Sequence, residues 1–185
     1  MLEFQKGNKP AFETLMHKFY PRVLNFIYRF VGSREVAEDL TQEVFIRVYK
    51  TAASYRPQAK FQTWLFTIAK NLSLNELRRR KWKMFSIDAT LDLPHGEIKR
   101  QLEDSAAINS KNEMERQELV EQVKAAINEL PENQRLAVIL RRYEDFSYEE
   151  IAATMGTSVK AVKSLLNRAK SQLYSKLLNV IKLDN

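Results

Sequence analysis

The residues best suited to a chemical role are the cations that follow Ser158. From Ser158 to Lys182 the chain holds six basic residues and no acidic one. Lysine and arginine bind phosphate oxygens, and serine and asparagine side chains among them can reach base edges in the major groove. The predicted DNA-contacting residues of this segment are Ser158, Lys160, Ala161, Lys163, Ser164, Asn167 and Arg168.

Two short helices must position these side chains. Ser147 and Glu150 have the spacing of a capping box, which predicts a helix over 148–155. Gly156 can adopt the left-handed conformation that ends a helix, and a tight turn then leads into the cationic helix. This pattern predicts a helix-turn-helix that docks on duplex DNA. The alternative is an ordinary helical hairpin with a solvated basic face.

A second group combines aromatic, cationic and amide side chains. It predicts a surface for an unpaired DNA strand, on which a base leaves the stack and is held by polar groups. Asn71 is the stronger candidate for a base contact, because Trp64 lies on the apolar stripe of its helix and is more typical of a core. The predicted residues are Lys60, Trp64, Lys70, Asn71, Asn75, Arg78, Arg79 and Arg80.

A third group lies on the polar side of a predicted helix over 36–48, namely Asp39, Gln42 and Glu43. The opposite side carries valine and leucine at a spacing of four, which favours an amphipathic helix. Taken by itself, the polar side has two interpretations, a solvated surface or an interface with a basic partner.

Catalysis and metal binding are not predicted. The chain has no cysteine, and its two histidines, His17 and His95, are isolated. Asp39 and Glu43 form an i,i+4 carboxylate pair without a third ligand, which falls short of a metal site. We therefore predict no cofactor, no metal and no enzyme activity.

The composition favours an all-α protein, because 44% of the residues are apolar and only four are glycine and five proline. Two small helical domains are predicted, over 1–85 and 114–185, joined by a flexible linker over 86–113. The C-terminal domain contains the helix-turn-helix. Residues 1–85 hold 16 basic and 7 acidic side chains, which favours a polyanion partner.

The N-terminal residues lack the apolar core of a secretory signal. No apolar run approaches the roughly 18 residues that span a bilayer. We therefore predict a cytoplasmic protein that does not insert into membranes.

Three segments in this order resemble the sigma-70 superfamily, specifically its small extracytoplasmic-function (ECF) group of RNA polymerase sigma factors. They are AEDLTQEVFIRVYK at 37–50, FQTWLFTIAKNLSLNELRRRK at 61–81 and YEDFSYEEIAATMGTSVKAVKSLLNRAKSQL near the C-terminus. Together with INELPENQRLAVILRRY they cover nearly the whole chain outside the linker. Three positions depart from the family pattern: Lys160-Ala161 replaces a usual Gly-Thr, and Leu165 stands where arginine is frequent.

The resemblance implies a transcription initiation factor with two promoter anchors. In the numbering of the family, residues 1–85 would be sigma domain 2 and residues 114–185 sigma domain 4. Domain 2 would bind core polymerase, with Asp39, Gln42 and Glu43 contacting the beta-prime coiled coil. The helix over 61–81 would melt the −10 element and capture a flipped base at Asn71, with the loop 53–60 as the rim of the pocket. Domain 4 would read the −35 element and meet the beta flap. An anti-sigma factor is a frequent partner in this family.

Two rival functions stay open at this point. The first is a helix-turn-helix regulator that does not bind core polymerase, although residues 1–83 lack the alternating strand–helix pattern of a receiver domain. The second is an enzyme acting on nucleic acid, which the absence of a metal-ligand or catalytic cluster disfavours.

Overall fold

The computed structural model describes residues 1–57, 60–88 and 111–181. Within these ranges it contains α-helices and one 3-10 turn (Ala52–Ser54) but no strand, so the all-α prediction is confirmed. The helices are α1 (Leu2–Gln5), α2 (Lys9–Val31), α3 (Arg34–Lys50), α4 (Phe61–Asp88), α5 (Lys111–Asn128), α6 (Glu132–Arg142), α7 (Tyr148–Met155) and α8 (Val159–Ile181).

The ends of α2 and α3 are determined by local chemistry. The side chain of Asn8 accepts a hydrogen bond from the Ala11 amide and so caps the start of α2. Gly32 ends α2 with φ of 77°, a left-handed conformation that glycine adopts without strain. Ser33 Oγ then accepts from the Val36 amide and begins α3.

Helix α4 is longer than the sequence pattern predicts. We expect it to end in the run Arg78–Lys81, but the helix continues to Asp88. No glycine or proline interrupts residues 78–88, and arginine, lysine and methionine are good helix formers. The predicted linker over 86–113 is therefore helical at 86–88 and at 111–113, and its remaining residues, 89–110, lie outside those described.

The N-terminal core lies between α2, α3 and α4. Its largest fully buried side chains include Phe26, Phe30 and Phe66. A C-terminal core forms between α6, α7 and α8, around Leu140 and Val162. Leu119 of α5 is 40% exposed, whereas Ile127 and Leu130 later in the chain are buried.

The two cores are continuous in this structure. The ring of Phe66 on α4 meets that of Phe146, just before α7, edge-on with centroids 5.2 Å apart, and both residues are fully buried. The side chain of Arg22 on α2 forms an ion pair of 3.1 Å with Glu144. The helices on either side of 89–110 thus pack into one apolar core.

Candidate functional site

The helix-turn-helix forms as the sequence predicts. Ser147 Oγ accepts from the Glu150 amide at 3.1 Å, and a Glu150 carboxylate oxygen accepts from the Ser147 amide at 2.8 Å. Gly156 ends α7 in the left-handed region with φ of 67°. Ser158 begins α8 by accepting a hydrogen bond from the Ala161 amide at 3.2 Å. These local bonds set the angle at which α8 leaves the turn.

Packing beneath the turn holds α8 against α7. Ile151 and Val162 are fully buried, and Ala152 is buried beside them, where its small side chain lets the helices approach closely. These residues form the seam between the two helices, and Met155 and Leu166 are half-buried at its edge.

The predicted DNA-contacting residues of α8 lie on its outward side. Lys160, Lys163, Asn167 and Arg168 are exposed, as is Ser158 at the start of the helix. Ala161 and Ser164 are half-buried between them. None of the three cations forms an ion pair with another residue of the described ranges; the Lys163 ammonium instead lies 5.8 Å from the centre of the Tyr148 ring.

A polar stripe runs along α4. Asn71, Asn75 and Arg78 are exposed and follow each other at spacings of four and three residues, which places them on one side of a helix. Arg79 and Arg80 are held differently, because the buried carboxylate of Glu76 bonds both guanidinium groups at 2.9–3.1 Å. The hydrogen bond from Arg79 is the main reason that the pKa of Glu76 is lowered, and Arg80 adds to it.

Three further residues predicted for this surface have partners inside the protein. The Lys60 ammonium lies 2.9 Å from a carboxylate oxygen of Glu150, so it faces the helix-turn-helix. Trp64 is half-buried in an aromatic cluster, and the centres of the Trp64 and Tyr55 rings are 5.0 Å apart. Lys70 is half-buried, and this burial lowers the pKa of its ammonium group. The loop predicted as a pocket rim is described at 53–57 and at Lys60, while Gln58 and Ala59 lie outside the described residues.

The acidic surface of α3 is open to a partner. Asp39 and Gln42 are exposed, and within the described residues Asp39 has no salt bridge. Glu43 is half-buried and accepts from Arg47 Nε at 2.7 Å. The opposite side of α3 carries buried Val44 and Val48, which anchor the helix in the core.

Sequence reasoning overlooked two residues of α4. Glu76 reads as an ordinary charged residue, and only its burial reveals that it orients two arginines. Trp82 follows the point at which we expect the helix to end, and the longer α4 places it on the helix. In the part of the chain that the structure describes, no group of histidine and acidic residues could hold a metal ion. No helix there is long and apolar enough to cross a membrane.

Two family models match the chain. Sigma-70 region 2 matches residues 15–83, which contain α3 and the exposed stripe of α4. Sigma-70, region 4 matches residues 120–173, which contain the helix-turn-helix.

Curated relatives extend the similarity across both regions. The RNA polymerase sigma-H factor of Pseudomonas aeruginosa is 35% identical over 170 residues, which cover 91% of this chain and 87% of the relative. The ECF RNA polymerase sigma-E factor of Escherichia coli is 34% identical over 180 residues, which cover 96% and 92%.

Solved structures share the fold. The sigma factor RpoE of Bartonella quintana, in complex with the anti-sigma factor NepR, matches with a TM-score of 0.70 and 24% identity over 90% of this chain and 96% of that one. CnrH, in complex with the cytosolic domain of CnrY, matches with a TM-score of 0.69 and 23% identity over 97% and 94%. By its two family regions and its relatives, the chain belongs to the sigma-70 family of RNA polymerase sigma factors, in the ECF group.

Proposed function

We propose that this sigma factor works through three surfaces: α3 binds core polymerase, α4 holds the melted −10 strand, and α8 reads the −35 duplex. The observation that carries this assignment is the outward side of α8. There Lys160, Lys163 and Arg168 are exposed on a helix whose start and packing are fixed by the turn before it. Such a helix presents cations to phosphates and polar groups to base edges.

The α3 surface suits a basic helical partner. Asp39, Gln42 and Glu43 lie within five residues on one helix, and their acidic and amide oxygens accept hydrogen bonds from lysine or arginine. We assign this surface to the beta-prime coiled coil of core polymerase, and we assign the beta flap to domain 4. The second assignment rests on the family resemblance.

The α4 surface suits an unpaired strand. Asn71 and Asn75 offer amide groups that both donate and accept hydrogen bonds, and Arg78 adds a positive charge beside them. We assign Asn71 to a flipped base of the −10 element. Lys70, Arg79 and Arg80 line the flanks of this helix. Lys60 and Trp64 belong to the end of the surface nearest the helix-turn-helix, where Glu150 already holds Lys60.

Three further assignments follow from the family. The chain itself performs no chemistry, because the polymerase that it directs carries the active site. It acts in the cytoplasm, where promoter DNA and polymerase are found. We also assign an anti-sigma factor as a partner, since RpoE, a protein of the same fold, was solved bound to the anti-sigma factor NepR, and CnrH was solved bound to the cytosolic domain of CnrY.

The assignment is tested by pull-down of core polymerase followed by run-off transcription on a genomic promoter library. Replacing Asp39 and Gln42 by alanine should lower core recovery about tenfold, because charge complementarity is lost. Glu13→Ala on α2 is the matched control, since it removes an exposed carboxylate away from α3. Equal recovery of the two variants would remove the core interface from α3.

The −10 assignment has its own readout. Asn71→Ala should slow open-complex formation, followed by permanganate reactivity of unpaired thymines, while core affinity is unchanged. A loss of core binding by this variant would instead give Asn71 a structural role.

A further inference from the structure

The last turns of α4 carry an exposed aromatic residue that none of the assignments above uses. Trp82 is 77% exposed, the highest exposure of any large apolar side chain in the described residues. A single exposed apolar side chain is common on protein surfaces, but tryptophan is enriched at interfaces because its ring is apolar and its N–H is polar, so the charges around Trp82 decide what it could contact.

Helix geometry aligns this ring with the stripe of Asn71, Asn75 and Arg78. The four residues follow each other at spacings of four, three and four. At 3.6 residues per turn these spacings keep all four within an arc of about 60°. Asn71 and Trp82 are therefore the two ends of one exposed side, about 16 Å apart along the axis at roughly 1.5 Å per residue.

The surroundings of Trp82 are cationic. Arg78 lies one turn before it on the same side, and Lys81 and Lys83 are its exposed neighbours in the chain. None of these three forms an ion pair with a residue in the described ranges. The nearby Arg79 and Arg80 are oriented by Glu76. A ring with exposed, unpaired cations at 78, 81 and 83 fits a negatively charged partner that also offers flat apolar faces.

Nucleic acid combines these two properties, because its backbone is anionic and every base has a face on which an aromatic ring can stack. We propose that Trp82 stacks on a nucleotide of the promoter strand that Asn71 holds, and that Arg78, Lys81 and Lys83 bind the adjoining phosphates. At about 3.4 Å per nucleotide of stacked strand, the 16 Å between the two residues corresponds to roughly five nucleotides. This inference rests on the proposed −10 surface of α4.

The test uses reconstituted holoenzyme and a pre-melted promoter fragment recovered from the transcription library. The fluorescent base 2-aminopurine is placed at successive positions of the nontemplate strand, because stacking on an aromatic ring quenches it. We expect a position, about five nucleotides from the one that responds to Asn71→Ala, where quenching is lost in Trp82→Ala and kept in Trp82→Phe. Affinity for the fragment should fall roughly 5- to 100-fold in Trp82→Ala.

Tyr174→Ala is the matched control, since it removes another exposed aromatic ring, on α8, and should leave both readouts unchanged. The same fluorescence in wild type and Trp82→Ala at every position, or affinities within about twofold, would overturn the proposal. Loss of core polymerase binding by Trp82→Ala would also overturn it, since the ring would then contact protein. If Asn71→Ala is defective and Trp82→Ala is normal, only the role of Trp82 fails. If Asn71→Ala also binds the fragment like wild type, the −10 surface itself fails.

Discussion

The buried ion pair between Arg22 and Glu144 gives a sharp test of how the two halves of the chain are joined. The Glu144 side chain is 3% exposed and that of Arg22 38%. Arg22 donates from Nε to a Glu144 carboxylate oxygen at 3.1 Å and from Nη2 to the Glu144 carbonyl oxygen at 3.2 Å. Arg22→Met keeps an unbranched apolar side chain of similar length but removes both bonds and leaves the carboxylate buried.

Breaking a buried ion pair by removing one partner costs about 3–5 kcal/mol. Arg22 is partly exposed and Arg29 also attracts Glu144, so we expect the free energy of unfolding to fall by about 2–3 kcal/mol at neutral pH. Burial already raises the pKa of Glu144 above its ordinary value, and Arg22 opposes this rise. Without Arg22 the pKa should rise further.

The direction of the pH dependence follows. A carboxyl group with a raised pKa binds its proton more tightly in the folded state, so stability is highest below the unfolded-state pKa and falls as pH rises through the folded-state pKa. The cost of Arg22→Met should therefore be largest at neutral pH and shrink on acidification, because the buried Glu144 then becomes neutral.

Urea denaturation followed by circular dichroism, at about pH 7.5 and about pH 5, measures both effects. Glu144→Gln removes the buried charge, so the double variant Arg22→Met/Glu144→Gln should lie within about 1 kcal/mol of Glu144→Gln by itself. A cost below about 0.5 kcal/mol for Arg22→Met, an equal cost at both pH values, or strict additivity in the double variant would refute this account of the contact.

Three further predictions concern single elements. Replacing Lys163 and Arg168 by alanine should lower the slope of log affinity against log salt for −35 duplex by about 1.8, since each phosphate contact contributes about 0.9. The control replaces Lys6 and Lys124, which are exposed and paired with glutamates, by alanine. It makes the same change of charge and should leave the slope unaltered. Glu76→Gln should flatten acid unfolding, because the lowered pKa of Glu76 gives stability that is present above its unfolded-state pKa and lost as pH falls through its folded-state pKa; a pH titration of thermal unfolding with the same acid slope as wild type would contradict this. Ser147→Ala should cost about 1 kcal/mol by removing the cap of α7, whereas Ser147→Thr keeps a hydroxyl that can accept from the Glu150 amide and should cost less. Equal melting temperatures for the two variants would count against the capping box.

The features that sequence reasoning predicts well are local. The Ser147–Glu150 box and the Gly156 stop involve residues at most three apart or a single backbone conformation, so residue types at fixed spacing are enough to identify them. The end of α4 is predicted poorly for a related reason. A run of arginines at 78–80 is typical of a last helical turn, but nothing after it breaks the helix before Asp88.

The features that sequence reasoning misses depend on residues distant in the chain. Arg22 and Glu144 are 122 positions apart, and each resembles an ordinary surface charge until folding buries Glu144. Lys60 looks like a free cation for DNA, yet Glu150, 90 residues later, lies 2.9 Å from it. No local pattern encodes such a pair, because either residue would be equally at home on a solvated surface.

The packing of α4 against α7 has a consequence for promoter binding. The numbers in the names of the −35 and −10 elements differ by about 25 base pairs. At about 3.4 Å per base pair, this separation is about 85 Å of duplex. Here Nε2 of Gln62 on α4 lies 3.2 Å from a carboxylate oxygen of Glu150 on α7, the helix that packs against α8, so the helix assigned to the −10 element is in contact with the helix-turn-helix assigned to the −35 element. Both elements can be bound together only after these helices separate.

The contacts that must break when these helices separate contribute unequally to the free energy of separation. The Lys60–Glu150 pair is largely exposed on the lysine side and contributes at most about 1 kcal/mol, whereas Phe146 and the Arg22–Glu144 pair are buried and cost more to expose. Binding energy from polymerase and DNA must offset this cost. Because Arg22→Met weakens the buried contact before any partner arrives, it should lower the energy of separation while it destabilises the free chain. The change that Arg22→Met causes in the free energy of promoter binding should therefore be smaller than the change it causes in the free energy of unfolding, or opposite in sign.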